Sequence, residues 1–141
     1  MSHSYDLKQI SDFFANDRFA AGAGCVIDAV SEETVVCSVE VTPQLMNAAG
    51  SVQGGAIFTL ADLCFAVHCN LGLFNGSDAG ITVGQSCSIS FLKSPRGKKL
   101  IAKSRRVSAG RTMSVFEIEV ADDRGSPCAV MVGNAFTTAK R

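Results

Sequence analysis

The chemistry-bearing residues of this sequence fall in one short stretch, "NAAGSVQGGAIFTLAD", which holds Asn47, Gln53, Gly54, Gly55 and Asp62. Asp62 is the only carboxylate between Glu40 and Asp78, and no Lys or Arg falls between Arg18 and Lys93 to neutralise it. A carboxylate in such apolar sequence is costly unless it is hydrogen-bonded, lies near an opening or serves chemistry; the alternative is that it faces solvent or caps a loop. Gly54 and Gly55 stand where a helix begins, and the first N–H groups of a helix are unpaired and point outward at the positive end of its dipole. Glycine there lets a carbonyl oxygen approach closely, which is how an oxyanion hole is built.

Gly54 and Asp62 are eight residues apart. At about 1.5 Å of rise per residue they stand roughly 12 Å apart along a helix. One small reacting group cannot touch both. If they act together, the carboxylate comes from a second subunit whose helix runs antiparallel across a two-fold axis.

The elements that must position these residues follow from periodicity. Asp6–Asn16 reads as a short N-terminal helix, with Leu7, Ile10, Phe13 and Phe14 at helical spacing and Ser4 or Asp6 as its cap. Cys25–Val30 and Thr34–Val41 read as a hairpin around "SEE". Ala56–Leu73 is apolar on nearly every side, so it must be wrapped by sheet. Four strand-like segments follow, "GITVGQSCSISFLK", "KKLIAKSRRVS", "RTMSVFEIEVA" and "SPCAVMVGNAFTTA", divided by "SPRG", "AG" and "DDRG". The order is ββαββββ, an α+β pattern, with residues 1–141 read as one domain and 1–20 as its helical N-terminal segment.

Composition excludes several classes. The chain has 141 residues, 47% of them hydrophobic, and a net charge of zero, enough for one real core. No signal-peptide core opens it and no apolar run spans a membrane, so a soluble, cytoplasmic protein is expected. Six scattered cysteines without a C-x-x-C pair, and only two histidines, argue for reduced thiols and no metal. Eight of the thirteen basic residues fall between Lys93 and Arg111 with no acid among them. They form either a solvated strand surface or a site for a compact polyanion. Nucleic acid is not expected, since Tyr5 is the only Tyr and Trp is absent. Cys64 and His68 share a helix face, where a buried thiol beside a core histidine is the simpler reading than a catalytic dyad. No G-x-S-x-G elbow supports a serine triad.

"NAAGSVQGG" followed by "LAD", with "FLKSP" and "GRTM" further on, resembles the hotdog-fold acyl-CoA thioesterases of the phenylacetate-degradation (PaaI-type) group, from about Gly22 to Thr138. The resemblance implies a hotdog fold, a long helix wrapped by antiparallel sheet, assembled as homodimers and often homotetramers. It implies that Gly54 N–H polarises a thioester carbonyl, that Asn47 holds substrate or the attacking water, and that Asp62 of the partner subunit is general base or nucleophile. Gln53 replaces the usual His before the Gly-Gly pair, which leaves an orienting role and removes proton shuttling. Gln53 and Gly55 would line the substrate, and Ser86, with Gln85 adjacent, is the nearest match to a Ser or Thr that some members place near the acid. Coenzyme A enters as part of the substrate, not as a cofactor; its phosphates would meet "SPRGKK" and "GRTM", through Arg96, Arg111 and Thr112. Two other readings stand beside hydrolysis: a non-catalytic acyl-CoA-binding protein, which Gln53 would suit, and an acyl-thioester dehydratase, which lacks a placed His. Phe58, Phe65 and Phe74 are the aromatic residues available to an acyl pocket.

Overall fold

The computed structural model describes residues 4–77 and 79–138; residues 1–3 of the N-terminal segment and the last three residues lie outside them. Two short helices, α1 (Leu7–Phe14) and α2 (Arg18–Gly22), precede a hairpin of β1 (Val26–Val30) and β2 (Val35–Glu40). The long helix α3 (Gly54–Cys69) follows, and then β3 (Thr82–Phe91), β4 (Lys99–Ala109), β5 (Met113–Asp122) and β6 (Pro127–Thr137). The six strands form one antiparallel sheet in the order β1-β2-β4-β5-β6-β3, curled around α3.

α1 lies within the helix expected over Asp6–Asn16, and a second short helix that was not expected follows it. Asp6 caps α1 through Gln9 N–H at 3.2 Å, and Asp17 restarts a second helix by accepting from Ala20 N–H at 3.1 Å. Both are side-chain caps of the kind Asp favours. The central helix also ends earlier than its apolar run suggests. Asn70 leaves it, and its side chain bonds the backbone N–H and C=O of Thr82 at 2.9 and 3.0 Å, tying the end of α3 to the start of β3. The apolar tail Leu71–Leu73 becomes a single 3₁₀ turn.

Ile57, Leu60, Ala61, Leu63, Cys64, Phe65 and Val67 of α3 are buried against the inner faces of β2, β4, β5 and β6. Phe65 lies on bare backbone: a Cβ on Gly133 would stand 2.8 Å from its ring, and one on Gly84 3.1 Å. Glycine in these strands is therefore a close-approach requirement. Phe65 thus belongs to the core and Phe74 to an aromatic cluster with Phe13 and Phe14; of the three aromatics considered for the pocket, Phe58 alone stays on the helix surface left half open.

The stripe of α3 that the sheet leaves open runs through Gly55, Phe58, Thr59, Asp62, Ala66 and Cys69. Its three-and-four spacing is one helix face. Among the described residues no helix is long and apolar enough to cross a membrane.

Replacing Gly133 with Ala should overpack the Phe65 seat and cost about 1–3 kcal/mol. Urea unfolding checks this; an unchanged midpoint would mean that the ring has room to move.

Candidate active site

Gly54 opens α3, with Gln53 at the cap position making no side-chain cap bond. The loop before it is held by Asn47, whose Oδ1 accepts from Ala49 N–H at 2.9 Å and Ser51 N–H at 3.0 Å. A bridge between Met46 and Val52 closes the same loop. The Asn47 carbonyl is thus committed to shaping the turn, and its NH₂ donates to no protein acceptor among the described residues.

Ala56 and Ile57 N–H both bond the Gln53 carbonyl, at 3.0 and 3.2 Å, whereas the N–H groups of Gly54 and Gly55 meet no backbone acceptor among the described residues. Two donors therefore remain for a ligand oxygen. A Cβ on Gly54 would stand 3.1 Å from the Phe91 ring, so the ring packs closely against the helix start. The Gln53 side-chain oxygen lies over Gly55, 3.2 Å from where its Cβ would be.

Asp62 sits two turns up the helix on the open stripe. Its carboxylate is exposed in the protomer, yet surrounding protein, with the negative charge of Asp17 second, raises its pKa above the ordinary 3.8. Cys69 and Cys87 share its electrostatic surroundings. The protomer does not bring Asp62 to the N–H groups of Gly54 and Gly55, as the helical spacing requires.

Strand β3 presents Cys87, not Ser86, to this face. A bulge between Gly84 and Ser86 inserts Gln85, and a bulge re-aims the side chains beyond it. Ser86 pairs with Asn134 and accepts its side-chain amide at 2.8 Å. Cys87 pairs with Gly133, the residue under Phe65 on the inner face. Ser86 and Asp62 therefore lie on opposite faces of the sheet, and the exposed Gln85 sits at the bulge.

The basic segment is spread along the sheet. The β3–β4 connection runs past the β5–β6 turn, where Asp122 accepts from Arg96 N–H at 3.3 Å and Asp123 from Lys98 N–H at 3.0 Å. Gly97 adopts φ +96° there, with Asp123 where a side chain would go. Arg105 pairs with Glu117 at 3.6 Å, and Arg106 lies over the Phe116 ring. Arg96 is at the Gly54 end of the sheet, while Arg111 and Thr112 occupy the β4–β5 turn at the far end. Strands of this length separate them by about 30 Å, so one protomer does not join Arg96 and Arg111 at one ligand.

His68 is buried and fully bonded: Nε2–H donates to the Glu32 carbonyl at 2.9 Å, and Nδ1 lies 2.7 Å from Ser104 Oγ. The carbonyl needs a donor, which fixes the Nε2–H tautomer and makes Nδ1 the acceptor of the Ser104 proton. Cys64 donates to the Val35 carbonyl at 3.2 Å instead of to the histidine. Neither is poised for nucleophilic work.

Residues 49–129 match the family model described as the thioesterase superfamily. The chain belongs to the thioesterase superfamily. It is 30% identical to the acyl-coenzyme A thioesterase PaaI of Escherichia coli K12, over 86% of this chain and 84% of that one. The solved structure of the E. coli PaaI protein from the phenylacetic acid degradation operon superposes with a TM-score of 0.81 at 26% identity, covering 96% of this chain and 98% of that one. A mutant thioesterase from Pseudomonas aeruginosa has a TM-score of 0.85 at 22% identity, with 96% of each chain covered, a likeness of fold. The hotdog fold and the PaaI-like group are thereby established, and thioester hydrolysis is the activity class.

Burial lowers the His68 pKa below its ordinary 6.5, outweighing the Glu32 bond that raises it. The unfolded chain therefore binds more protons below about pH 6.5, and stability contributed by neutral His68 is lost as pH falls from there through the folded value. Urea midpoints between pH 7.5 and 5.5 should drop for wild type and vary less for His68→Gln; equal slopes would assign the titration elsewhere.

Proposed function

We propose that this chain hydrolyses acyl-CoA thioesters to free acid and CoA at sites built between two subunits. The reading rests above all on the two free N–H groups at the Gly54–Gly55 helix start, next to a Phe91-lined groove of about 400 Å³, in a chain of the PaaI-like group.

The thioester carbonyl oxygen accepts from Gly54 N–H, which stabilises the negative charge that develops on it as the tetrahedral centre forms. Asp62 of the partner subunit supplies the carboxylate. As a general base it takes a proton from water, which attacks the carbonyl carbon; CoA thiolate then leaves and is protonated. As a nucleophile it would form an acyl-aspartyl anhydride that water hydrolyses. Asn47 NH₂ and the Gln53 amide orient substrate or water.

A dimer is supported by a second feature. β3 is a sheet edge with unpaired backbone groups, and Ile81, Val83, Phe91 and Leu92 along and beside it are each about half exposed. Such an edge invites pairing with another strand. Antiparallel pairing of two β3 strands about an axis normal to the sheet keeps both α3 helices on one face and antiparallel, which brings each Asp62 toward the other helix's N-terminus.

Asp62→Asn should lower kcat about a hundredfold or more on a panel of aryl- and alkyl-CoA thioesters, followed by loss of thioester absorbance. Binding of CoA esters without turnover by wild type would instead favour a binding protein. Because the Asp62 pKa lies above 3.8, and the base form is needed, the acid limb of kcat/KM should fall at a higher pH than an ordinary carboxylate gives.

Mixing two inactive variants, Asp62→Asn and Gly54→Val, tests the shared site. Random reassociation should restore about a quarter of wild-type activity, since half the dimers carry one intact site of two. No recovery on exchange of subunits would place each site within one chain.

A further inference from the structure

Two grooves flank the start of α3, and they differ in charge. One, about 400 Å³, is lined by Gly54, Ile57, Phe91, Leu92 and Lys93. It opens on the β3–β4 connection, where Lys93, Arg96, Lys98 and Lys99 follow within seven residues. The other, about 410 Å³, is lined by Gly55, Thr59, Leu45 and Gln53, and by Arg18 and Phe19 of α2. Arg18 is its only charged lining residue. Among the described residues Arg18 enters no ion pair, and Phe19 is 76% exposed, the most exposed large apolar side chain described.

A CoA thioester bound by its carbonyl at the helix start extends two arms of different chemistry. One carries the phosphates of CoA and the other is the acyl group. Charge complementarity assigns the phosphate-bearing arm to the side where four cations outnumber the two carboxylates, Asp122 and Asp123, beside them. The acyl arm is left with the side that carries less charge, where Phe19, Ala23, Leu45 and Ala56 supply apolar surface. Resting on the thioesterase reading above, we propose that the groove between α2 and the start of α3 is the acyl pocket, with Phe19 and Arg18 setting which acyl groups are accepted.

The volume lies within the range of small-molecule sites, and the site is continuous with the Gly55 N–H. Phe19, 76% exposed, supplies an apolar wall of the groove that a bound acyl group would cover. Arg18, an unpaired guanidinium at an apolar groove, gives an N–H donor to acyl groups that end in an oxygen acceptor such as a carboxylate. The short helix that carries both residues is pinned by its Asp17 cap, which keeps the wall in one place.

The test is kcat/KM for a series of CoA thioesters, acetyl, butyryl, hexanoyl, glutaryl and phenylacetyl, with wild type, Phe19→Ala and Arg18→Gln, together with the inhibition constant of free CoA. Phe19→Ala should change the ratio of hexanoyl or phenylacetyl to acetyl by tenfold or more. Arg18→Gln should lower the glutaryl-to-butyryl ratio by a similar factor. The CoA inhibition constant should stay within about twofold in both, while Lys93→Ala raises it. If instead the two α2 variants weaken free CoA and leave every acyl ratio unchanged, this groove holds the CoA arm and the proposal is overturned. If wild type turns over none of the series, the thioesterase reading fails by itself; calorimetric binding of hexanoyl-CoA against free CoA then tests the groove, with loss of the acyl increment in Phe19→Ala supporting it and an unchanged increment refuting it.

Discussion

The contact between the Phe65 ring and the backbone of Gly84 and Gly133 sets how deeply α3 lies in the sheet. Side chains on those two strands would push the helix outward by the width of a methyl group or more, and close-packed interiors do not absorb such a change. With the helix seated at that depth, its first residue comes against Phe91 at one end and Asn70 reaches the backbone of Thr82 at the other. Both ends of α3 are thereby attached to β3, the strand at the open edge of the sheet.

That attachment makes the sheet edge and the helix start parts of one problem. The protomer leaves the outer edge of β3 unpaired and Asp62 exposed on an otherwise uncharged stripe, and it separates Asp62 from the helix N-terminus by two turns. Each is unfavourable or idle in an isolated chain. The proposed dimer joined through β3 would answer all three, since pairing satisfies the edge, covers the stripe and supplies a carboxylate across the axis.

Much of this was legible in the sequence because it rests on local rules. Element order followed from periodicity, the helix start from Gly54 and Gly55, and the idle His68–Cys64 pair from its place on a core-facing run. What was not legible depends on contacts far apart in the chain. The bulge at Gln85 shifts β3 by one residue and turns Ser86 away from Asp62; alternation alone gives no sign of an inserted residue. The restart of a helix at Asp17 is a single cap that reads equally well as a loop residue. The basic segment looked compact because its residues are adjacent in sequence, whereas a strand running between them places Arg96 and Arg111 at opposite ends of the sheet. Phe65 looked available to a pocket until two glycines on other strands were seen to receive it.

Gln53 gives the site its electrostatic character. The side chain over Gly55 is a neutral amide, so it donates and accepts without titrating near neutral pH. His68, the histidine of α3, is buried behind Phe116 near the helix's other end and bonded on both ring nitrogens. Neither can carry protons for a reaction at Gly54. The carboxylate of Asp62 is then the one acid on the open stripe, and burial, with the negative charge of Asp17 second, disfavours its charged form. A base raised above its ordinary pKa holds a proton more firmly once it has taken one from water. With Gln53 at the helix start, the proposed reaction assigns its acid–base work to Asp62, and the amide adds no second charge beside Gly54 and Gly55.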